Sequence, residues 1–580
     1  MTTQMTYQNA QLKNTGNDEG DVLKFFQSKL RNLIAHNGGD HTFGWFTEDV
    51  DDKDAPMPVG TKTKIKWTHQ GHTISQMEKN FVTAKLSLVV QLNKKLNLDG
   101  DTANLNRIFI GFKHAVELFS DARLWIDNVM LKEYQQDELI RESFAYNSIK
   151  PIDAKEPAKH RYSLWENTSR MSPSVCGVYV PLTELADGNP HRITFEASIY
   201  FTDQLAFQAW QLYPNAICGE IEEEVKSSTE ALVWHQVQPS IVKEIEELLN
   251  CSVIDQDVPS NITISNKFSQ IGSPSTIVTE YKLADAPKTV AEDADENAIA
   301  DAEATNAALE GYQTLPVLGD ASKVIAYKTE EVILNCRGGT IVTMKSDLAG
   351  FGVKPDCLSG LIRELDTPLL IPSQQLVREG FQGLPTDAGL DVSKSVALSN
   401  ATNITVMFPK RTNEITCFDN IMYQNVQLTI NNVKYPDTEF DSTIGPRFYQ
   451  YQLISNELDG SLRPSHELED SWTMALNAPD GTRYKNTISD ATSFCINFQL
   501  ERTNSGYVFD GVDTGGNTVT IKFKGQPLYR GANDTYFNFD VNNPNVHPPP
   551  PEMWVCTDTY FTWQRGAVKY YANGVPDGYY

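Results

Sequence analysis

The sequence predicts an all-β chain made of two β-sandwich units in tandem, with short helical decorations. Three observations predict it. The chain has 580 residues, and a single hydrophobic core stops growing near roughly 250–300 residues, so one unit is too few. Apolar residues alternate with period two in both halves. One local pattern of strand, connection, strand and turn occurs once in each half.

The alternation is clearest in 82–92, where Val82, Ala84, Leu86, Leu88, Val90 and Leu92 interleave with Thr83, Lys85, Ser87, Val89 and Gln91. In 193–201, Ile193, Phe195, Ala197, Ile199 and Phe201 do the same. Phe494, Ile496, Phe498 and Leu500, then Val519, Ile521 and Phe523, repeat the pattern late in the chain. Successive side chains of a strand point to opposite faces, so this is the pattern of antiparallel strands with one face on a core. Asn-Gly, Asp-Gly and Asn-Pro pairs, among 35 Gly and 29 Pro, punctuate the strands.

The internal repeat comes next. Ile108-Phe109-Ile110-Gly111-Phe112-Lys113 precedes Leu124-Trp125-Ile126-Asp127-Asn128-Val129, and Ile404-Thr405-Val406-Met407-Phe408-Pro409-Lys410 precedes Leu428-Thr429-Ile430-Asn431-Asn432-Val433. One β-unit used twice, with many short strands, suggests a tandem of sandwiches or jelly rolls, designs that limit exposed strand edges.

The reading divides the chain into an N-terminal arm at 1–60, a first unit at 61–280, an acidic Ala-rich exposed insertion or connector at 281–312, and a second unit at 313–580. In the arm, Leu23, Phe26, Leu30 and Leu33 recur at helical spacing and predict an amphipathic helix over 20–35, packed against its own domain or docked onto a partner subunit or an internal membrane. Residues 283–311 hold eight acidic residues and one lysine with almost no large apolar side chains, too few to join a core. Helical excursions are expected at 240–250 and 357–364.

The formal charge is −26, from 75 acidic and 49 basic residues. Phosphate binding needs clustered Lys and Arg, so no direct sequence-specific nucleic-acid binding is expected. No run of about 18 apolar residues occurs. The first twenty residues have neither the basic nor the apolar region of a signal peptide. Eight cysteines stand far apart without a CxxC pair, which fits synthesis in a reducing compartment. The sequons at Asn167, Asn261, Asn400, Asn403 and Asn533 then read as chance matches.

Candidate chemistry is sparse. Asp513-Thr514-Gly515 matches the aspartic-protease triplet, but that chemistry needs two facing carboxylates, and no second copy occurs. The setting, FDGVDTGGNT, reads as a Gly-rich hairpin loop. His69 and His72 form an HxxH, with Gly71 arguing for a turn and no third ligand nearby. Glu222, Glu223 and Glu224 read as a solvated strand end. His547, beside Pro548–Pro551, reads as an extended surface segment that could be an inter-subunit contact. The expectation is no catalytic residue, no metal and no cofactor.

Particular stretches resemble a known family. FIGFKHAVELFSDARLWIDNVML (109–131), QLAFQAWQLYPNAICGEI (204–221), EALVWHQV (230–237), NVQLTINNVKYPDTEFDSTIGPRFYQYQL (425–453), SFCINFQLERTNSGYVFDGVDTGG (493–516) and NGVPDGYY (573–580) are similar, in order, to segments of major capsid proteins of the Polinton/Maverick, adintovirus and virophage-like group. The first 60 residues and 283–311 have no counterpart there.

The resemblance implies a double jelly roll that forms a homotrimer, a pseudo-hexagonal capsomer of an icosahedral double-stranded DNA virus. Neighbouring capsomers, a penton and minor capsid proteins would be its partners. The helix at 20–35 would lie low, facing neighbours or an internal membrane. The insertion and loops near 375–395 would face outward. Two alternatives stand beside it: a β-sandwich hydrolase acting on glycans, and a minor capsid or spike protein.

Overall fold

The computed structural model describes residues 43–50, 56–98, 107–112, 115–134, 176–207, 210–236, 269–290, 296–317, 320–366, 368–381, 390–407, 423–440, 496–500, 512–514, 517–527 and 552–571. The expected helices at 20–35 and 240–250, and His547, lie outside them.

The first half supplies β1 (Phe43–Asp49), β2 (Met57–Pro58), β3 (Lys62–Lys66), β4 (Ile74–Gln76), β5 (Phe81–Leu92), β6 (Arg107–Gly111), β7 (Phe119–Ile126), β8 (Val129–Tyr134), β9 (Gly177–Pro181), α1 (Leu182–Leu185), β10 (His191–Tyr200), β11 (Leu212–Tyr213), α2 (Asn215–Cys218), β12 (Ile221–Ser227) and β13 (Val233–Gln236). A middle segment follows: β14 (Ser269–Gln270), β15 (Pro274–Asp285), α3 (Glu296–Ala308), β16 (Gln313–Val317), the long β17 (Asp320–Phe351) and α4 (Pro355–Leu365). The second half holds β18 (Leu369–Gly380), β19 (Leu390–Ala397), β20 (Ala401–Met407), β21 (Tyr423–Ile430), β22 (Val433–Phe440), β23 (Ile496–Gln499), β24 (Thr518–Pro527), β25 (Glu552–Gln564) and β26 (Ala567–Tyr571).

Strand order identifies the architecture. An eight-strand jelly roll, its strands counted along the chain, has sheets ordered 1-8-3-6 and 2-7-4-5. In the second half the sheets run β18-β25-β20-β23 and β19-β24-β21-β22, which are those two orders. In the first half β3-β12-β7-β8 gives 2-7-4-5, and β14-β13-β6-β9 gives 8-3-6 with β14 in the place of strand 1. The chain is therefore all-β and carries the jelly-roll order twice.

The sequence repeat falls on equivalent elements: β6 and the β7–β8 hairpin in one unit, β20 and the β21–β22 hairpin in the other. Both hairpins turn on two residues with positive φ, Asp127 (44°) and Asn128 (68°), then Asn431 (46°) and Asn432 (66°). Short polar side chains tolerate this region, and such turns match the twist of paired strands. Each turn is held the same way: Asp127 N–H donates to Glu220 and Asn431 N–H to Thr520, at the starts of β12 and β24. The valine after each turn stays exposed, 57% at Val129 and 56% at Val433.

A further sheet, β10-β5-β17 with β1 at the far edge of β17, lies against the first unit. Its inner face is the alternating set read from the sequence, Val82 to Leu92 and Ile193 to Ile199, all buried. Phe195 from this face meets Phe112 at the end of β6, 6.2 Å between ring centroids. Ile108, Phe109 and Ile110 are all fully buried, so β6 is covered on both faces. Each large apolar side chain buried here contributes about 1.5–3 kcal/mol.

Two expectations are corrected. The strand β17, expected within the second unit, pairs with β5 and β1. The second jelly roll's own strand order begins at Leu369, after α4. Of the loops expected near 375–395, the described residues are almost all strand: β18 continues to Gly380 and β19 starts at Leu390. Ile371, Ser373 and Leu376 of β18 are buried in the sheet. The helix expected at 357–364 is α4, which buries Cys357, Leu361 and Leu365 at helical spacing. The acidic insertion forms α3, whose residues are mostly exposed, carried between β15 and β16.

Candidate functional site

The most developed site between the two units is an aromatic junction. On one side, the segment after β10 brings Phe207, Trp210 and Tyr213 together. Trp210 stacks on Tyr213 at 5.4 Å and meets Phe207 edge-on at 5.3 Å. On the other side stand Phe561 and Trp563 of β25. Trp210 meets them edge-on at 4.8 and 5.2 Å, and Tyr213 meets Trp563 at 5.3 Å. Edge-to-face geometry places the positive rim of one ring on the negative face of the next. All five rings are fully buried.

Backbone and polar contacts fix the register of this junction. Gly566 N–H donates to Ile217 at 2.8 Å, and Arg565 N–H to Leu365 at 3.0 Å. The Ser373 hydroxyl donates to the Ala206 carbonyl at 2.6 Å. Tyr213 donates its hydroxyl to Gly219 at 3.0 Å, and burial holds its pKa well above the usual phenol range. Burial, with Asp127 nearby, pushes the Cys218 thiol up to about 12, so it stays a neutral, unreactive core thiol. The arrangement joins two sandwiches into one body.

The residues singled out in the sequence are dispersed. Asp513 and Thr514 lie on a loop pinned to the β19–β20 connection: Thr514 N–H donates to Leu398 at 2.9 Å, and Leu398 N–H to the Thr514 hydroxyl at 3.1 Å. Gly515 lies outside the described residues. The three glutamates of β12 divide by alternation, which corrects the solvated-strand-end reading. Glu222 and Glu224 face out and pair with Lys64 at 3.5 Å and Lys62 at 3.0 Å. Glu223 points into the core, fully buried, and accepts from Trp67 Nε1 and Gln204 Nε2, both at 2.8 Å. Burial raises its pKa, and the two hydrogen bonds oppose that shift. His69 and His72 lie side by side, ring centroids 5.0 Å apart. Among the described residues no group of three or more His, Cys, Asp or Glu could hold a metal ion. No described helix is long and apolar enough to cross a membrane.

The chain's structural neighbours are viral capsid proteins. They include the Sputnik virophage structure (10% identity, 92% of this chain and 89% of that one, TM-score 0.43) and the mavirus major capsid protein (12% identity, 92% and 91%, TM-score 0.39). The Faustovirus major capsid protein is another (8% identity, 94% and 98%, TM-score 0.40). No protein-family model matches the chain, and no curated protein does.

Sequence reasoning named no residue of the junction as functional. The available signal was aromatic density in two short runs, Phe207 to Tyr213 and Tyr560 to Trp563. Which runs meet is decided by the fold, and spacing along the chain does not encode it.

Proposed function

We propose that this chain is a major capsid protein. Three copies form a homotrimer with a pseudo-hexagonal outline, and these capsomers tile an icosahedral shell of a double-stranded DNA virus. The observation that carries the reading is tandem repetition: one strand order used twice in one chain, the two copies fused by a buried aromatic junction. Three such chains around an axis place six similar sandwiches in a ring, which head-to-tail contacts close when each copy is rotated by a third of a turn. The sequence resemblance to the Polinton, adintovirus and virophage-like group supports the same reading.

In this role the chain is a structural component of the virion and not an enzyme. It is synthesised in the reducing interior of the host cell. Its partners are its own copies, neighbouring capsomers, and penton and minor capsid proteins. The segment 20–35 faces those neighbours or an internal membrane. The excess of 75 acidic over 49 basic residues fits a coat that does not condense its genome through its own tail. The test is assembly: the purified chain is concentrated and viewed by negative-stain microscopy. Shells or flat sheets with a hexagonal repeat are expected, and a dispersed particle at every concentration, salt and pH contradicts the reading.

A further inference from the structure

The loop after β3 brings two histidines beneath the first strand of the structure. His72 is buried, 3% exposed, and neither ring nitrogen has a hydrogen-bond partner among the described residues. Its ring lies against a pair of glycines. Gly44 of β1 faces Gly350 of β17 in register. A Cβ on Gly350 would stand 2.4 Å from His72 Nδ1, and one on Gly44 would stand 3.1 Å from Nε2. Phe46 stacks on His69 at 4.1 Å, with 3° between the ring planes, and lies 5.2 Å from His72. Glu48 reaches His69 Nε2 at 3.2 Å. Gly44, Phe46 and Glu48 alternate along β1 and so share one face of it. One face of the strand therefore rests on two imidazoles.

We propose that this arrangement is an acid-sensitive latch, in which a proton taken up by His72 frees the strap Phe43–Asp49 from the edge of β17. Among the described residues, the closed latch gives a charged His72 no carboxylate of its own. From its own loop it faces His69, a second base. From β1 come Glu48, which pairs with His69, and Asp49, which pairs with Lys345 at 3.6 Å. From β17 come Lys345 and Asp347, and Asp347 accepts from Thr47 at 2.6 Å. The adjoining β4, Ile74-Ser75-Gln76, carries no ionisable group. Water is the remaining stabiliser of the charge, and Gly44 and Phe46 cover the ring.

Burial first, and the neighbouring His69 second, hold the His72 pKa below the ordinary 6.5; the Gly44 backbone approaches the ring, outside good hydrogen-bond geometry, and acts the other way. An open strap restores the ordinary value. Between the two values the open form binds the proton and the closed form does not, so closure weakens as pH falls below about 6.5. His69 is differently placed. Its Nδ1 accepts from Gly71 N–H at 2.9 Å, which leaves Nε2 to carry the hydrogen toward Glu48.

The experiment is hydrogen exchange of the full chain, read by mass spectrometry at about pH 7.5 and about pH 5, and corrected for the intrinsic pH dependence of exchange. In the wild type, protection of 43–49 and 345–351 should fall roughly tenfold or more relative to β5 on acidification. His72→Phe, a ring that cannot take a proton, should hold its protection at both pH values. Gly350→Ala forces the ring aside, so it should lose strap protection already at neutral pH; it and the wild-type profile decide the matter if His72→Phe does not fold. The latch is overturned by a strap that ignores pH in the wild type. It is equally overturned by the same pH response in His72→Phe, or by full protection in Gly350→Ala at neutral pH.

Discussion

Trp210→Ala removes the ring at the centre of the junction. Truncating a buried aromatic to alanine costs roughly 3–5 kcal/mol, through lost burial and the cavity left behind. Two of the ring's edge-on contacts, to Phe561 at 4.8 Å and to Trp563 at 5.2 Å, cross between the units. Each such pair contributes about 0.5–1.5 kcal/mol beyond area burial. About 1–3 kcal/mol of the loss is therefore coupling between the two jelly rolls, and the rest is internal to the first. The assay is urea unfolding of the wild type, Trp210→Ala, Phe561→Ala and the double variant, followed by circular dichroism and fluorescence. Trp210→Ala should be destabilised by about 4 kcal/mol and should separate the transitions of the two units. The cycle with Phe561→Ala should show a coupling of roughly 1 kcal/mol. A loss under about 1 kcal/mol, or strict additivity in the cycle, would refute the junction as the element that fuses the units.

Two further outcomes are expected. Glu223 is fully buried with a raised pKa, so its stability contribution is present below the ordinary carboxyl range and is lost as pH rises toward the raised value. Glu223→Gln should remove this dependence because an amide does not titrate, and the buried Gln204 Oε1, which has no hydrogen-bond partner among the described residues, can accept the new amide hydrogen. Its stability should exceed that of the wild type at neutral pH by about 1 kcal/mol or more and converge with it near pH 4; parallel stability–pH curves would count against this. At the hairpin turn, Asn432 has φ of 66°, so Asn432→Gly should stabilise by about 0.5 kcal/mol and Asn432→Val destabilise by about 1–2 kcal/mol. Thermal unfolding of the two variants decides it, and equal melting temperatures would contradict the assigned turn.

Much of the fold was legible because it is written locally. The matching segments around Asp127-Asn128 and Asn431-Asn432 announced the same hairpin in both units, since their turn chemistry and period-two flanks depend on near neighbours only. The alternation in 82–92 and 193–201 gave the inner face of the β5–β10 pair for the same reason. Partner choice was not legible. Nothing in the residues of β17 says that they pair with β5 and β1 of the first unit, or in those of β14 that they complete the sheet β14-β13-β6-β9. Glu222-Glu223-Glu224 read as a solvated run because composition hides the alternation that buries the middle one. The HxxH spacing read as a turn with no third ligand, and nothing in it points to Gly44 and Phe46, which give His72 its setting and approach from another strand.

The most direct test of the central claim is the mass and outline of the purified chain in solution, by light scattering with negative-stain microscopy. The account predicts a trimer of three 64.9 kDa chains with a hexagonal outline. A stable monomer of 64.9 kDa that does not associate on concentration would contradict it.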